Sequence, residues 1–298
     1  MPVTLGRALK HISDWSKSLA PFPVRAHWPR YVFHSCQLEV ALEIIKSGKI
    51  VCRNSVPTMI CDVANQGALW NNINAHAYVR LYFRPRNMFH LKTEGIKPLG
   101  SPYRGANQMS IPVTFAFDFA SVICRDDAGF VPGNFARSGA RPETTDEKFD
   151  ELRFDLIYHD SALSDADKYD ILNWRMSEVV VSGKLPLSDS TRIMCRTIHE
   201  ERTLRFLLGG TTDRRIAVEQ KGSIFFRRGM FIDEIYWQDE FLHLSFHPAI
   251  EYVKEKYELK IVCIDRGVIK ERTYSTPHGK YRIMDLRASK VTVHTLVA

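Results

Sequence analysis

The 298-residue sequence lacks the features of several common protein classes. It has no run of about eighteen apolar residues, so no transmembrane helix is expected. The N-terminal stretch MPVTLGRALKHISDWSK lacks the apolar core and cleavage site of a signal peptide. No two cysteines form a C-x-x-C pair, which argues against a zinc ribbon or a thioredoxin-like site. Scattered cysteines without a secretion signal are typical of reduced thiols, and we therefore expect a cytoplasmic protein.

Motifs of common nucleotide-dependent and hydrolytic enzymes are also missing. There is no G-x-G-x-x-G, so a Rossmann dinucleotide site is unsupported. KSGK and VSGK lack the upstream glycine of a P-loop, HEER at 199–202 is not H-E-x-x-H, and no G-x-S-x-G is present. We predict no metal site. If the protein binds a nucleotide, it does so with a different kind of site.

The composition is that of a soluble globular protein with a moderate basic excess. Hydrophobic residues make up 45% and charged residues 25%, and the length allows one large domain or a domain with a smaller lobe. The formal net charge is +7. This charge suits a nucleic-acid partner, but many proteins without such a partner are equally basic.

The pattern of apolar residues predicts helices and strands that alternate irregularly along the chain. LEVALEIIKSG has apolar residues at helical spacing and ends at Gly48, where a left-handed conformation is expected. YVFHS, AYVRLYFRP, MSIPVTFAFDFASVI and the valines after Glu178 are typical of strands. Long loops are predicted around 54–76 and 124–148, and the last hundred residues are mostly strand-like.

Five segments, in this order, resemble the DarT family: YVFHS, IIKSGKI, HAYVRLYFRPRNM, GFVPGNFARSG and NWRMSEVVVSGKLP. The most specific are Tyr-Phe-x-Pro-Arg at 82–86 and Ser-Glu-Val-Val-Val at 177–181. DarT proteins are DNA ADP-ribosyltransferases that act as toxins in toxin–antitoxin and phage-defence systems. The resemblance covers roughly residues 31–226.

The resemblance implies an α+β fold, the ADP-ribosyltransferase split β-sandwich with flanking helices, which binds NAD in a cleft without a Rossmann unit. We expect an N-terminal helical extension over 1–30 and a transferase core over 31–229. We also expect a C-terminal β-rich extension over 230–298. The resemblance assigns no role to it.

The resemblance also implies the roles of particular residues. Glu178 matches the family's catalytic glutamate, and His34 matches the histidine that touches the ribose of NAD. The family usually carries an arginine before the Tyr-Phe-x-Pro-Arg strand; here Arg53, Arg80 or Arg84 takes that role, or the site is built differently. The residues expected to bind NAD are His34, Ser35, Arg53, Tyr82, Arg84 and Arg86.

The chemistry of ADP-ribose transfer fits a carboxylate at position 178. Loss of nicotinamide leaves an oxocarbenium-like sugar, which a fixed carboxylate stabilises electrostatically. We expect the valines to anchor the strand while Glu178 projects into a cleft, where it also accepts a proton from the attacking base. The alternative is that Glu178 marks a solvated strand end and His34 is an ordinary core histidine.

Basic and aromatic residues predict where a nucleic acid binds. Alternation along the strand would place Arg80, Arg84 and Arg86 on one face, where the NAD pyrophosphate or a nucleic-acid phosphate would neutralise them; the alternative is a solvated basic face. A loop over 125–160 is expected to present the substrate through stacking and phosphate contacts, the alternative being a flexible basic loop. Its candidate residues are Asn134, Phe135, Arg137, Arg141, Arg153, Tyr158 and His159.

The predicted function is transfer of ADP-ribose from NAD to a nucleobase of single-stranded DNA. Met176 favours a base as the acceptor, because protein-directed members of this fold often have Glu or Gln two residues before the catalytic glutamate. The same chemistry on RNA and a non-catalytic nucleic-acid-binding module are the alternatives. The expected partners are single-stranded DNA or RNA and an antitoxin such as a macrodomain ADP-ribosyl hydrolase, with no membrane.

Overall fold

The computed structural model describes much of the chain, and every structural statement below refers to the described residues. These are 2–58, 70–97, 108–219, 222–227, 231–238, 241–247, 256–265, 268–277, 280–283 and 290–294.

Helices and strands follow one another in mixed order. The helices are α1 (Leu5–Ser18), α2 (Leu38–Ser47), α3 (Met88–Thr93), α4 (Phe119–Ile123), α5 (Asp146–Asp150), α6 (Phe154–Ile157), α7 (Lys168–Trp174) and α8 (Ile198–Leu207). The strands are β1 (Tyr31–Gln37), β2 (Lys49–Val51), β3 (Tyr78–Tyr82), β4 (Pro112–Asp118), β5 (Ala128–Val131), β6 (Glu178–Ser182), β7 (Lys184–Pro186), β8 (Arg192–Cys195), β9 (Ile216–Val218), β10 (Ile232–Gln238), β11 (Phe241–Phe246), β12 (Lys256–Asp265), β13 (Val268–Pro277), β14 (Lys280–Ile283) and β15 (Lys290–His294). Short 3₁₀ turns cover Trp28–Arg30, Arg53–Ser55 and Ile73–Ala77.

A seven-stranded mixed sheet forms the centre of the fold. Its strand order is β5-β6-β3-β1-β4-β8-β9; β8 and β9 run parallel and the other neighbours antiparallel. β2 and β7 form a two-stranded ribbon, and β10 to β15 form two three-stranded sheets. The predicted α+β class is confirmed, and strands fill the C-terminal part of the chain as predicted.

Side-chain alternation in β3 explains how the sheet has both a core face and a polar face. Val79 and Leu81 are buried in the main hydrophobic core, while Tyr78, Arg80 and Tyr82 are partly exposed. Successive side chains of a strand point to opposite faces, so these three residues share the face that lies away from the core. This face carries the candidate site.

Several local predictions are confirmed, and others are wrong at the element boundaries. Gly48 ends α2 in a left-handed conformation, with φ of 69°, as predicted. MSIPVTFAFDFASVI is not a single strand, because Asp118 caps α4 by accepting a hydrogen bond from the Ser121 N–H. The predicted loop around 124–148 contains β5. Among the described helices, none combines the length and hydrophobicity that a membrane span requires.

Candidate active site

Glu178 opens β6 and is completely buried. Its strand neighbours are Tyr82 on β3 and Val131 on β5, so it lies inside the sheet and not at a solvated strand end. Arg80 binds both carboxylate oxygens, from Nε to Oε2 at 2.6 Å and from Nη2 to Oε1 at 2.6 Å. The Phe135 backbone N–H donates to Oε1 at 2.9 Å. Three donors therefore fix the orientation of this carboxylate.

His34 reaches the same group through Arg80. Its Nδ1 lies 3.1 Å from the Arg80 carbonyl oxygen, so the imidazole, the Arg80 residue and the Glu178 carboxylate are contiguous. Burial and the nearby guanidinium lower the pKa of His34. Burial alone would lower the pKa of Arg80 as well, but Glu178 raises it above its usual value. The site thus contains a charged arginine–glutamate pair beside a neutral imidazole.

The segment 132–140, here called the 132–140 loop, is fastened directly onto these residues. The Gly133 N–H donates to Ser177 Oγ at 2.9 Å. Asn134 Oδ1 accepts from Arg80 Nη2 and from the Ala136 N–H, both at 2.9 Å. Gly133 has φ of 81°, and an added Cβ would lie 2.6 Å from Asn173 Oδ1. Only glycine fits there, because the backbone is left-handed and the space is filled.

A buried amide from another loop completes this attachment. The Asn72 Nδ2 donates to the carbonyl oxygens of Phe135, Arg137 and Ala140, at 2.9, 3.3 and 3.0 Å. Asn72 itself is buried. The 132–140 loop is therefore held in place over the Glu178 carboxylate by side-chain and backbone hydrogen bonds.

A small cavity lies along the same face of the sheet. Its lining includes Ser35 and Thr114, whose hydroxyls are 2.7 Å apart, together with His90 and Glu94. His90 is buried; its Nδ1 faces the Pro85 carbonyl oxygen, and its Nε2 has no hydrogen-bond partner among the described residues. Burial lowers the pKa of His90 to about 4. The ring is therefore neutral at pH 7, with Nδ1–H donating and Nε2 left as an unused acceptor.

Arg84 and Arg86 are not on the face of Arg80, which corrects the alternation prediction. β3 ends at Tyr82, so the alternation does not extend to them. Both arginines pair with Asp160, and the Arg84 guanidinium lies over the Trp28 ring at 4.8 Å. Glu178 therefore pairs with Arg80, whereas Arg84 and Arg86 share the single carboxylate of Asp160. Nothing in this arrangement supports a contact of Arg84 or Arg86 with NAD.

Two expected substrate contacts also lie elsewhere. The Phe135 ring is fully buried against Tyr78 and the apolar residues beneath the loop, so it cannot stack on a base. The Tyr158 ring is buried as well, and its hydroxyl lies 3.0 Å from His11 Nε2. His159 Nδ1 accepts from Arg175 Nη2 at 2.7 Å. The Phe135 and Tyr158 rings are therefore packed inside the protein, while the role of the part-buried His159 stays a prediction.

The remaining candidates lie on exposed or half-buried positions. Arg137 and Arg141 are exposed on the 132–140 loop and just after it. Arg153 is exposed and pairs with Asp155 at 2.8 Å. Arg53 is half-buried in its 3₁₀ turn, and Tyr82 lies across from Glu178. Of Arg53, Arg80 and Arg84, it is Arg80 that contacts the Glu178 carboxylate.

Comparison with known proteins identifies the family. A family model described as "ssDNA thymidine ADP-ribosyltransferase, DarT" matches residues 33–226, more than half of the chain. The chain belongs to the DarT family. It is therefore an ADP-ribosyltransferase, and the predicted resemblance is confirmed. No functionally curated protein matches the chain.

Solved structures of DarT proteins share this fold. Thermus sp. 2.9 DarT in complex with ADP-ribosylated ssDNA is 19% identical, with a TM-score of 0.52, covering 66% of this chain and 97% of that chain. The same protein in complex with carba-NAD+ is 16% identical, with a TM-score of 0.50, covering 66% and 98%. Thermosipho africanus DarTG in complex with ADP-ribose is 16% identical, with a TM-score of 0.45, covering 70% and 53%. At such identities the likeness to the two Thermus structures shows the fold alone.

Sequence reasoning missed several residues of the site. Arg80 was one of three candidates, but its alternation with Val79 and Leu81, together with the position of Glu178 on a strand, could have singled it out. No sequence motif or pattern indicated Asn72, Ser177 or His90. Each of them contributes through residues that are distant in sequence.

Proposed function

We propose that this chain transfers ADP-ribose from NAD+ to the thymine base of single-stranded DNA. The observation that carries the proposal is the buried Glu178 carboxylate, held by Arg80 and by the Phe135 N–H beside His34. Membership of a family described as acting on ssDNA thymidine supports the choice of base.

Glu178 has the position and charge that the reaction requires. As the bond between nicotinamide and ribose breaks, its electron pair leaves with nicotinamide and positive charge develops on the sugar. A preorganised carboxylate in a buried site stabilises that charge without reorganising. A carboxylate offers about four lone pairs, and the donors described occupy three. One lone pair on Oε2 therefore stays available to a ribose hydroxyl.

Transfer is completed by a ring nitrogen of the base. That nitrogen forms the new bond to the ribose carbon and loses its proton, which Glu178 accepts. Removing the proton as the bond forms keeps the product neutral at the base. The Arg80 guanidinium balances the charge of the carboxylate until the proton moves.

The cavity beside His90 is where one part of the dinucleotide is proposed to begin its contact with the protein. Ser35 lies on β1, two strands away from Glu178 on β6, which is about 10 Å at the usual strand spacing. A dinucleotide whose reacting sugar lies at Glu178 extends over that distance. The unused Nε2 of His90 would accept a hydrogen bond from a hydroxyl or amino group of NAD+.

The DNA strand is expected to approach over the 132–140 loop. Arg137 and Arg141 are the exposed cations of this region, and exposed guanidiniums contact phosphates without reading the sequence. Phe135 supports the loop from below.

The function is tested by incubating the protein with labelled NAD+ and matched DNA and RNA oligonucleotides that contain thymine or uracil. We expect label on the single-stranded DNA that contains thymine. Preferential labelling of RNA would favour the RNA alternative, since the 2′-hydroxyl is what a site reads to separate the two. Absence of label from both, with binding intact, would favour a non-catalytic module and contradict the proposal.

The biological role follows from the same chemistry. A DNA-modifying transferase is harmful to its own cell, so we propose that the protein is a toxin of a toxin–antitoxin or phage-defence system. A macrodomain ADP-ribosyl hydrolase would then reverse the modification. Expression in bacteria should arrest growth, Glu178→Gln should abolish the arrest, and co-expression of such a hydrolase should restore growth. Growth arrest by the Glu178→Gln variant would contradict this role.

A further inference from the structure

Four arginines and a single carboxylate form a cluster beyond the end of β3, here called the Asp160 cluster. Its members are Arg25, Arg84, Arg86, Arg175 and Asp160. Arg84 and Arg86 bind the two oxygens of Asp160. The other contacts of the cluster are mainly backbone carbonyls: Arg25 Nη1 donates to the Tyr158 oxygen at 2.6 Å, and Arg175 Nη2 to the Ser161 oxygen at 3.3 Å.

The charges of this cluster do not balance among the described residues. Four guanidiniums carry four positive charges against one carboxylate. Burial and mutual repulsion lower the pKa of Arg84 and Arg175, and burial and Arg86 lower that of Arg25. The same surroundings keep His159 uncharged, since burial and Arg175 lower its pKa. Three cations in excess at one place are unfavourable unless an anion joins them.

Unused donors in the cluster point to the same conclusion. The Nε atoms of Arg84, Arg86 and Arg175 are buried and have no hydrogen-bond partner in the described part of the chain. The Arg84 side chain is fully buried. Buried polar groups normally find partners, so three unused N–H donors next to excess positive charge favour an acceptor that carries negative charge.

The cluster adjoins the catalytic centre without being part of it. Arg175 precedes Glu178 by three residues, and Arg84 follows Tyr82, the strand partner of Glu178. Arg86 and Asp160 remain about one-fifth exposed, at 18% and 21%. A ligand can therefore reach the cluster from solvent.

We propose that the Asp160 cluster is a phosphate-binding site, which holds a backbone phosphate of the DNA strand beside the nucleotide that is modified. Arginine is the residue best suited to this task, because its planar fork donates several hydrogen bonds and stays charged. Arg25 and Arg84 are buried and organise the site from within, while the partly exposed Arg86 and Arg175 provide the charge that faces the strand.

The proposal rests on the proposed function, and its test measures binding without NAD+. The full-length protein is titrated with fluorescent single-stranded DNA at several salt concentrations. Arg175→Gln, which removes a partly exposed charge, and Arg25→Gln, which removes a buried one, should each weaken binding about fivefold. The slope of log K against log salt should become shallower by about 0.7, the value for one phosphate on a single strand.

Two matched variants separate charge from structure. Arg125→Gln removes an exposed arginine that pairs with Asp127 outside the cluster, and it should change neither the affinity nor the salt slope. Arg175→Lys keeps the charge and should retain the wild-type slope, whereas a purely structural role would make it behave like Arg175→Gln. Melting temperatures of all variants confirm that they are folded.

A second measurement decides whether the phosphate belongs to the DNA backbone or to NAD+. If the KM for NAD+ rises in Arg175→Gln and Arg25→Gln while DNA affinity is unchanged, the cluster binds the pyrophosphate of NAD+ and still serves as a phosphate site. If DNA affinity, salt slope and KM for NAD+ all stay at wild-type values, the proposal is wrong. A wild-type protein that binds DNA through these arginines but never modifies it would contradict the proposed function alone.

Discussion

At the scale of single residues, the unusual feature is a carboxylate placed before three valines and buried with them. An isolated charge in such a place would be very unfavourable, because burial removes its hydration. Arg80 supplies an opposite charge with two parallel hydrogen bonds, and the Phe135 N–H supplies a third. The pair is favourable only when both members are present. Its rigidity suits catalysis, since neither oxygen needs to turn when charge develops on the sugar.

Loss of Arg80 should therefore cost more stability than an ordinary surface change. The Glu178 side chain is fully buried, whereas 24% of Arg80 is exposed. Arg80→Met leaves the carboxylate buried without a partner and should lower the free energy of unfolding by about 3 kcal/mol. In the Glu178→Gln background the same change should cost much less. Denaturant titration of the four proteins measures this difference, and equal costs in both backgrounds would show that the pair does not act as a unit.

His90 should contribute to NAD+ binding through its unused acceptor. His90→Phe keeps an aromatic ring beside Tyr82 but removes Nε2. We expect the KM for NAD+ to rise about fivefold, as for the loss of one hydrogen bond, with kcat nearly unchanged. Steady-state kinetics at saturating DNA provides the measurement. A KM at the wild-type value would show that the His90 cavity holds no part of NAD+.

The role of a residue could be predicted only where a sequence motif, or the alternation of buried and exposed residues along a strand, indicated it. Glu178 and His34 followed from the resemblance, and the structure places them at one site. Arg84, Phe135 and Tyr158 were expected to face ligands and are instead buried. Each is a large side chain in a polar-looking segment, and residue type alone does not show whether a segment folds back onto the core.

At the scale of elements, β6 is buried on both sides because the 132–140 loop covers the face that the main core does not. Val179 and Val181 pack in the main core, while Val180 packs with Phe135 on the other side. This explains a run of three valines in place of an alternating pattern. The strand and the loop together enclose Glu178.

Asn72 should control the order of the 132–140 loop. Asn72→Ala leaves three carbonyl oxygens without their shared donor. We expect kcat/KM for the DNA substrate to fall about tenfold, because the loop that fixes Glu178 loses its anchor. Hydrogen exchange of the loop amides should increase in parallel. A variant with faster exchange and unchanged kcat/KM would show that the loop needs no fixed position for catalysis.

Element boundaries were the weakest part of the sequence prediction. The apolar run AYVRLYFRP indicated a strand through Arg86, but β3 ends at Tyr82, and Pro85 lacks the N–H that a central strand would donate. The helix at Phe119–Ile123 was hidden within an apolar run that is equally compatible with a strand. In both places a local residue, proline or the capping Asp118, overrides the apolar pattern.

At the scale of the whole molecule, α1 joins the sheet through a buried aromatic cluster. His11 lies within this cluster, against Phe119, Phe149 and Phe154, and bonds the Tyr158 hydroxyl. Burial lowers the pKa of His11 to about 3. The packing of the N-terminal helix therefore depends on a neutral imidazole.

Stability should fall in mild acid for this reason. Below its ordinary pKa of 6.5 the imidazole of the unfolded chain binds a proton, while the folded protein resists protonation until about pH 3. The unfolded state thus binds more protons, and His11 lowers the free energy of unfolding by about 1.4 kcal/mol per pH unit between these limits. Urea titrations at pH 7.5 and 5.5 should show this loss, and His11→Gln should reduce it. An identical pH dependence in both proteins would contradict the assignment.

The fold as a whole could be predicted because five short segments in a fixed order identify it. The order of strands in the sheet could not, since β3 lies between β1 and β6 through pairings of residues far apart in the chain. The boundaries of the N-terminal and C-terminal extensions remain predictions. The residues of 1–30 that belong to the main core became visible only in the structure; they are Val3, Ala8, Leu19 and Trp28.

The central claim is that the buried Glu178 carboxylate stabilises the sugar cation as nicotinamide leaves. The most direct measurement compares the rate of thymidine ADP-ribosylation by the wild-type protein and by Glu178→Gln, using mass spectrometry of nucleosides recovered from a single-stranded oligonucleotide. Glutamine keeps the shape but not the charge, so the account predicts a rate lower by about 100–1,000-fold, with single-stranded DNA still bound. A Glu178→Gln protein that modifies thymidine at the wild-type rate would contradict it.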